Sequence, residues 1–97
     1  MKKLEKIENI IKEHKTELKK DFNIKRIGIF GSYIRGEQSN KSDLDVLVEF
    51  KEPISLLKQA ALWNYLSELL RIKIDLVCKR KIRPELKHNI LREVVYL

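Results

Sequence analysis

The sequence has few of the residues that cross-link, bend or anchor a chain, with one cysteine, two prolines and three glycines among 97 residues. Because Cys78 has no second cysteine to pair with, an internal disulfide and a cysteine-rich zinc site are excluded, and a reducing cytoplasm is the expected compartment. Apolar runs are short, and the N-terminus lacks the apolar core of a signal peptide. We therefore expect a cytoplasmic protein without a membrane-spanning segment.

Apolar and charged residues are abundant, at 43% and 36% of the chain. This composition allows enough buried apolar area for folding, and the length suits one small domain, expected over residues 1–97. The 21 Lys and Arg residues outnumber the 14 Asp and Glu residues, which gives a formal net charge of +7. Such a field attracts the phosphates of nucleotides or nucleic acids, although solvated Lys-rich helices produce the same excess.

Apolar residues at helical spacing predict three longer helices. The first spans residues 2–20 and has one apolar face in a segment rich in Lys and Glu. The second, over residues 55–71, has the broadest apolar stripe, takes Ser55 as its N-cap and places Trp63 in the core. The last begins at Pro84, which suits the first turn of a helix, and its apolar face extends towards the C-terminus.

Three β-prone runs predict strands over residues 25–30, 43–50 and 73–78. A single helical turn over residues 33–37 is expected after the first strand. The resulting order, α-β-α-β-α-β-α, predicts an α/β (α+β) fold with a small mixed three-stranded sheet. We expect the helices to pack mainly on one face of this sheet and the other face to be open.

Three aspartates lie on the polar sides of the last two predicted strands. Asp43 and Asp45 are two residues apart and so point to the same face, and Asp75 lies opposite the apolar set of its own strand. If the two strands are neighbours, the three carboxylates converge. Clustered carboxylates require a cation, and oxygen ligands favour Mg²⁺ or Mn²⁺ over zinc. The pattern therefore predicts a divalent-metal site.

The segment after the first strand has the composition of a phosphate site. Gly31 allows a phosphate to approach the backbone, and the Ser32 hydroxyl and free amides at a helix start can donate hydrogen bonds to it. Arg35 adds a fork of charged donors, although it fits a surface salt bridge equally well. A nucleoside triphosphate could bridge this segment and the aspartates.

The two halves form the string GSYIRGEQSNKSDLD, in which ten residues separate Gly31-Ser32 from Asp43-Leu44-Asp45. With the strings SDLDVLV, KIDLV and ILREVVYL, it resembles the DNA polymerase β-like nucleotidyltransferase superfamily, and most of all its minimal nucleotidyltransferase (MNT) family. The resemblance covers essentially the whole chain.

The resemblance implies a polymerase β-like fold and a two-metal phosphoryl transfer with ATP as substrate. Asp43 and Asp45 would hold two Mg²⁺ ions against the triphosphate. Asp75 would be the third carboxylate and would ligate the ion at the acceptor hydroxyl. Gly31 and Ser32 would hold the outgoing phosphates, so that AMP stays on the acceptor.

The resemblance also implies a partner. MNT proteins of this size occur with HEPN-domain proteins in toxin–antitoxin pairs, where the nucleotidyltransferase adenylylates a tyrosine of the toxin. A catalytically idle antitoxin that covers its partner's surface is the alternative from another class, and an RNA-binding or RNA-modifying domain, supported only by the positive charge, ranks last. A homodimer is compatible with the small core. The basic segment 79–83 fits phosphate, RNA or an acidic partner as well as it fits a solvated loop.

The other polar and reactive residues are expected to have no catalytic or ligand-binding role. Tyr33 is expected at the surface beside the loop, and Cys78 is expected as an inert buried thiol. His14 and His88 lie on helices away from the motif and receive no role. Glu49 shares the aspartates' face and is expected to be solvated or paired.

Overall fold

A computed structural model describes residues 3–97 and contains, within them, five α-helices and four strands. The helices are α1 (Lys3–Glu13), α2 (Lys15–Phe22), α3 (Ser32–Arg35), α4 (Leu56–Leu70) and α5 (Pro84–Glu93). The strands are β1 (Ile24–Phe30), β2 (Leu44–Phe50), β3 (Ile74–Cys78) and β4 (Val95–Tyr96), and a 3₁₀ turn, Lys79–Lys81, follows β3. In this part of the chain, no helix is both long enough and apolar enough to cross a bilayer.

The sheet is mixed, as predicted, but has four strands in the order β3-β2-β1-β4 rather than three. β1 runs antiparallel to β2 and β4, and β2 runs parallel to β3. A strand as short as β4 has no readable alternation, so the sequence pattern merges it with the apolar face of the last helix. The structure ends that helix at Glu93 and pairs Val95 and Tyr96 with β1.

The hydrophobic core lies between one face of the sheet and the helices α1, α2 and α4. On that face the alternation of β2 buries Leu44, Val46 and Val48 completely. The helices contribute the fully or almost fully buried residues Ile7, Ile11, Leu18, Leu62 and Leu66. Each such side chain contributes about 1.5–3 kcal/mol when it is removed from water, so this layer dominates the stability of the fold.

The predicted single helix over residues 2–20 is wrong in one respect, because the structure breaks it at His14. The His14 ring nitrogen Nδ1 lies 2.8 Å from the Ile10 carbonyl oxygen, and the His14 backbone leaves the helical region at φ −103°. Ile11 and Leu18 on either side of the break are both fully buried, so the apolar spacing continues across it and hides it. Residue 2 lies outside the described residues.

Helix α4 is buried along one stripe rather than throughout. Its buried residues are Leu62, Leu66 and Leu70. Leu56 and Leu57 in its first turn are 74% and 84% exposed. Trp63, predicted in the core, is 42% exposed, and its indole N–H donates a 2.9 Å hydrogen bond to the Ile74 carbonyl. The ring therefore lies at the edge of the core, because its polar N–H needs a partner that an apolar interior does not supply.

The two predicted helix starts are confirmed. The Ser55 side chain accepts a hydrogen bond from the Lys58 backbone N–H at 3.1 Å and caps α4. Pro84 occupies the first turn of α5, where its missing N–H costs no hydrogen bond.

The second face of the sheet, predicted to be open, is partly covered by the C-terminal segment. A Cβ atom on Gly28 would lie 2.6 Å from Cγ2 of Val94, so Val94 packs on the sheet where glycine leaves room. Phe30 and Leu47 are buried outside the main core cluster. Asp45 on the same face is only half-buried, and Asp75 is exposed.

Candidate active site

The parallel pairing of β2 and β3 brings two of the three aspartates together. Asp45 and Asp75 are direct register partners in this ladder. Because neighbouring strands lie about 4.8 Å apart, side chains at partnered positions on one face are adjacent. Asp43 precedes β2 and is exposed, and its charge acts on Asp45. Two carboxylates therefore meet at one end of the sheet, and a third lies nearby.

The electrostatics of this end are those of an acidic cluster without a balancing cation. The pKa of Asp45 is raised to about 6, chiefly by burial and then by the charge of Asp75 and hydrogen bonding with it. The charge of Asp43 adds to the rise, and the charge of Arg35 opposes it. Among residues 3–97, no ion pair involves any of these three aspartates.

These residues suit a hard divalent cation. Carboxylate oxygens are the ligands that Mg²⁺ and Mn²⁺ favour, and a cation relieves the repulsion that raises the pKa of Asp45. Within residues 3–97, no three acidic, histidine or cysteine side chains already form a metal cluster. The arrangement is a pair, Asp45 and Asp75, with Asp43 exposed just before β2.

Gly31 brings the predicted phosphate segment against the aspartates. Phe30 is the register partner of Asp45, so the chain turns at Gly31 directly beside the Asp45 carboxylate. Gly31 has φ +80°, and a Cβ atom at this position would overlap Oδ2 of Asp45. Both the backbone conformation and the close contact require glycine. The two halves predicted from the sequence are thus in contact.

Ser32 begins the short helix α3 beside this turn. The Gly31 carbonyl accepts hydrogen bonds from the amides of Ile34 and Arg35 at 3.0 and 3.1 Å, which forms the turn. The first amides of a helix have no partner within the helix and are available to an anion. Tyr33, expected at the surface, is instead only 2% exposed, because α3 packs on the strands and turns this ring into the core.

Arg35 forms salt bridges in this structure. Its guanidinium donates to Oε1 of Glu37 at 2.7 Å and to both carboxylate oxygens of Glu93, at 3.0 and 2.9 Å. These hydrogen bonds, from Glu37 first and then from Glu93, raise the pKa of Arg35. The salt-bridge interpretation therefore describes the observed state, and the phosphate contact of Arg35 stays a prediction.

Glu93 is a residue of this site that sequence reasoning missed. Its Oε1 accepts a hydrogen bond from the Gly31 backbone N–H as well as from Arg35. Glu93 is the last residue of α5, 62 positions from Gly31, and no local pattern joins the two. The one available signal was its position in the string ILREVVYL, where it is the sole acidic residue.

The opposite end of β2 carries the acidic residue that was expected to be solvated or paired. Glu49 is paired: Lys79 lies at 2.8 Å, Lys25 at 3.7 Å and Arg26 at 3.9 Å. The hydrogen bond from Lys79 is the main reason that the pKa of Glu49 is lowered. The negative charge of Glu49 is therefore balanced by basic side chains of the same protein.

A groove of about 510 Å³ lies beside Glu49, at the far ends of β2 and β3 from the aspartates. Phe50, Pro53 and Leu56 line it together with the basic Arg80 and Lys81. Cys78, expected to be buried, is only half-buried and borders the groove, and its partial burial raises the pKa of the thiol. The acidic pair (Asp45 and Asp75) and the predicted phosphate turn (residues 31–35) lie elsewhere, so the candidate catalytic and phosphate-binding residues do not line this groove.

The family model of the nucleotidyltransferase domain matches residues 11–97 of the chain. Protein adenylyltransferase MntA of Thermococcus cleftensis is 48% identical over 94 residues, which cover 97% of this chain and 95% of that protein. A protein of Methanocaldococcus jannaschii, provisionally named as a protein adenylyltransferase, is 49% identical over 98 residues that span both chains entirely.

Solved structures share the fold. One, described provisionally as a minimal nucleotidyltransferase, has a TM-score of 0.77 and 35% identity, and the match covers 94% of this chain and 95% of that one. A chain of a toxin–antitoxin complex with AMP-PNP has a TM-score of 0.73 and 26% identity over 92% of this chain and 70% of that one. A chain of the complex between the tri-AMPylated Shewanella oneidensis HEPN toxin and its MNT antitoxin has a TM-score of 0.68 over 98% of this chain and 71% of that one, and its 20% identity shows the fold alone.

Proposed function

This chain belongs to the nucleotidyltransferase domain family and is a nucleotidyltransferase, and from that premise we propose that it transfers AMP from ATP to a tyrosine hydroxyl of a HEPN-domain partner, as the antitoxin of a toxin–antitoxin pair. One observation carries the proposal: Gly31 lies against the Asp45 carboxylate, and Asp75 is the register partner of Asp45. A phosphate-binding turn and an acidic pair thus form one site. The similarity to MntA supports AMP as the transferred group.

The aspartates are proposed as the metal ligands. Asp43, Asp45 and Asp75 hold the cations through their carboxylate oxygens, and two Mg²⁺ ions, or Mn²⁺ in their place, suit this oxygen-only set. When bound, such ions neutralise the charge that develops on the triphosphate and lower the pKa of an acceptor hydroxyl. The raised pKa of Asp45 supports this assignment, because burial and its neighbours penalise its negative charge until a cation arrives.

The residues of the turn are proposed to hold the leaving group. The Gly31 amide and the Ser32 hydroxyl donate to the β- and γ-phosphates, and Arg35 adds positive charge beside them. The acceptor oxygen forms a bond to the α-phosphorus as the bond from that phosphorus to the bridging oxygen breaks. Pyrophosphate leaves, AMP stays on the acceptor, and Asp75 takes the hydroxyl proton.

The acceptor is proposed to come from another protein. Asp75 is exposed to solvent, so a side chain presented by a partner can reach the end of the site where the hydroxyl proton is accepted. The 26% identical chain of a toxin–antitoxin complex supports a protein partner, and the resemblance of the sequence to MNT proteins leads us to propose that this partner has a HEPN domain.

The proposal is tested by incubating the protein with Mg²⁺, labelled ATP and a HEPN-domain protein from the same genome. We expect the wild type to label the partner and Asp43→Asn and Asp45→Asn to lose at least about 100-fold in rate, as expected when a group that supports transition-state charge is removed. Glu49→Gln is the matched control, because Glu49 lies on the same face of β2 but is neutralised by Lys79. A Tyr→Phe change in the labelled partner peptide identifies the acceptor.

Absence of transfer by the wild type, or equal transfer by the aspartate variants, would defeat the enzymatic proposal. The idle-antitoxin alternative makes a different prediction. If the chain acts by covering its partner, the triple variant at Asp43, Asp45 and Asp75 blocks the toxin as well as the wild type does.

A further inference from the structure

The anion-binding donors of the phosphate turn are already occupied by a carboxylate of the chain itself. Glu93 accepts the Gly31 N–H, and Nη1 of Arg35 donates to Oε1 and Oε2 of Glu93 at 3.0 and 2.9 Å. A backbone amide and an arginine acting together are the donors that a phosphate oxygen uses. The turn therefore binds an anion in this structure, and that anion is Glu93.

Glu93 is held there in its charged form. Its side chain is only 24% exposed, and this burial opposes ionisation. The hydrogen bonds from Arg35 and Gly31 outweigh the burial, and the pKa of Glu93 is lowered overall. At neutral pH a carboxylate paired with Arg35 thus occupies the position where the outgoing phosphates of a nucleotide are proposed to lie.

Two anions cannot share these donors, because the Gly31 amide has one hydrogen and like charges at this distance repel. We propose that Glu93 is an internal competitor of the nucleotide: it occupies the Gly31 amide and Arg35 when no nucleotide is bound, and leaves both when a triphosphate enters. This inference rests on the proposed function for the identity of the ligand and adds a means of regulating the same site.

The release of Glu93 is local, because the residues after it are fixed. Val94 packs on Gly28, and the Leu97 amide donates to the Ile27 carbonyl at 2.9 Å, so β4 stays on the sheet. The movement is confined to the Glu93 side chain and the last turn of α5. Occupancy of the phosphate turn is thereby coupled to the position of that helix end.

The test measures the binding of inorganic tripolyphosphate and of ATP, each with Mg²⁺, to full-length wild type and Glu93→Gln by isothermal titration calorimetry. Glutamine keeps the shape of the side chain and removes its charge, so we expect about tenfold tighter binding of both ligands. The matched control is Glu37→Gln. Glu37 pairs with the same Arg35 at 2.7 Å but is 63% exposed, and it contacts the guanidinium rather than the turn amide, so we expect a change below about twofold.

Unchanged or weaker binding by Glu93→Gln, or equal tightening by both variants, would overturn the competitor role. Because the variant also loses a contact of α5, the wild type provides a second measurement. On titration of tripolyphosphate into isotopically labelled wild type, the Gly31 amide and the Glu93 side-chain carboxyl resonances should shift together with one affinity. A Gly31 shift without a Glu93 shift contradicts the proposal.

The outcome is separable from that of the transfer assay. If Glu93→Gln tightens tripolyphosphate binding and no partner is labelled, the competition stands and the proposed transfer falls. If the partner is labelled but wild type and Glu93→Gln bind tripolyphosphate with equal affinity, the proposed transfer stands and the competition by Glu93 falls.

Discussion

The two ends of β2 present the same chemical group in opposite surroundings. Asp45 and Glu49 are four residues apart and so lie on one face of the strand. Glu49 is surrounded by Lys79, Lys25 and Arg26, and its pKa is lowered. Asp45 has Asp75 as its register partner, and its pKa is raised to about 6.

The difference separates a structural carboxylate from one that is available for function. At the Glu49 end the chain supplies the counterions, so ionisation adds to the stability of the fold. At the Asp45 end the chain supplies further negative charge, so ionisation lowers that stability, and a cation bound there would offset the loss. Strand alternation places both carboxylates on the same face of β2. Asp45 is the candidate metal ligand because its neighbours are acidic, whereas those of Glu49 are basic.

The largest effect is expected from a substitution that disrupts the contact between Gly31 and the Asp45 carboxylate. Gly31→Ala should lower the free energy of unfolding by about 3 kcal/mol, because the new methyl overlaps the Asp45 carboxylate and φ is +80°. Gly36→Ala is the matched control: Gly36 also has a positive φ, +73°, but a Cβ atom there meets no atom within 4 Å. That variant should lose about 1 kcal/mol. Equal losses in urea denaturation would show that the contact with Asp45 contributes nothing.

A smaller effect, stabilisation of the protein by Mg²⁺, should also distinguish the Asp45 end of β2 from the Glu49 end. Mg²⁺ at ten times its dissociation constant should stabilise the wild type by about 1.4 kcal/mol, seen as a higher Tm that EDTA reverses. Asp45→Asn should abolish this gain, whereas Glu49→Gln should keep it because Glu49 already has its cations. Retention of the full gain by Asp45→Asn would place the ion elsewhere.

The smallest effect is in the dependence of metal-free stability on pH. The pKa of Asp45 is higher in the folded protein, so the folded state holds more protons between about pH 4 and 6 and this residue's contribution falls as pH rises. Relative to wild type, Asp45→Asn should therefore be neutral near pH 4 and more stable by about 1 kcal/mol at pH 7, a value reduced for solvent screening. Glu49→Gln should show the opposite sign, because the pKa of Glu49 is lowered and its contribution disappears as pH falls.

Denaturation of the three proteins in EDTA at a series of pH values checks this prediction. A difference between wild type and Asp45→Asn that does not change with pH would mean that Asp45 is not destabilised by its neighbours.

Much of the fold could be predicted because its signals are local. Alternation in β2 and β3, the Ser55 cap and the Pro84 helix start depend on residues a few positions apart, and the structure confirms them. The pairing of Asp45 with Asp75 needed one further assumption, that the two strands are neighbours, and the parallel register confirms it.

What could not be predicted depends on contacts distant in sequence. The hydrogen bond from Gly31 to Glu93 joins residues 62 positions apart, and only the path of α5 brings them together. Tyr33 enters the core because α3 packs on the sheet, which its place beside a polar loop does not indicate. Trp63 leaves the core because its indole N–H binds a strand carbonyl that the helical pattern does not contain.

That indole gives the protein an optical reporter of its own. The chain has one tryptophan, and its N–H holds the carbonyl of Ile74, the residue immediately before Asp75. Fluorescence excited at the red edge of the indole absorption band, where the three tyrosines do not absorb, therefore arises from a single ring attached to the strand that carries the third aspartate. Any shift of that strand on ligand binding changes the emission of this one fluorophore.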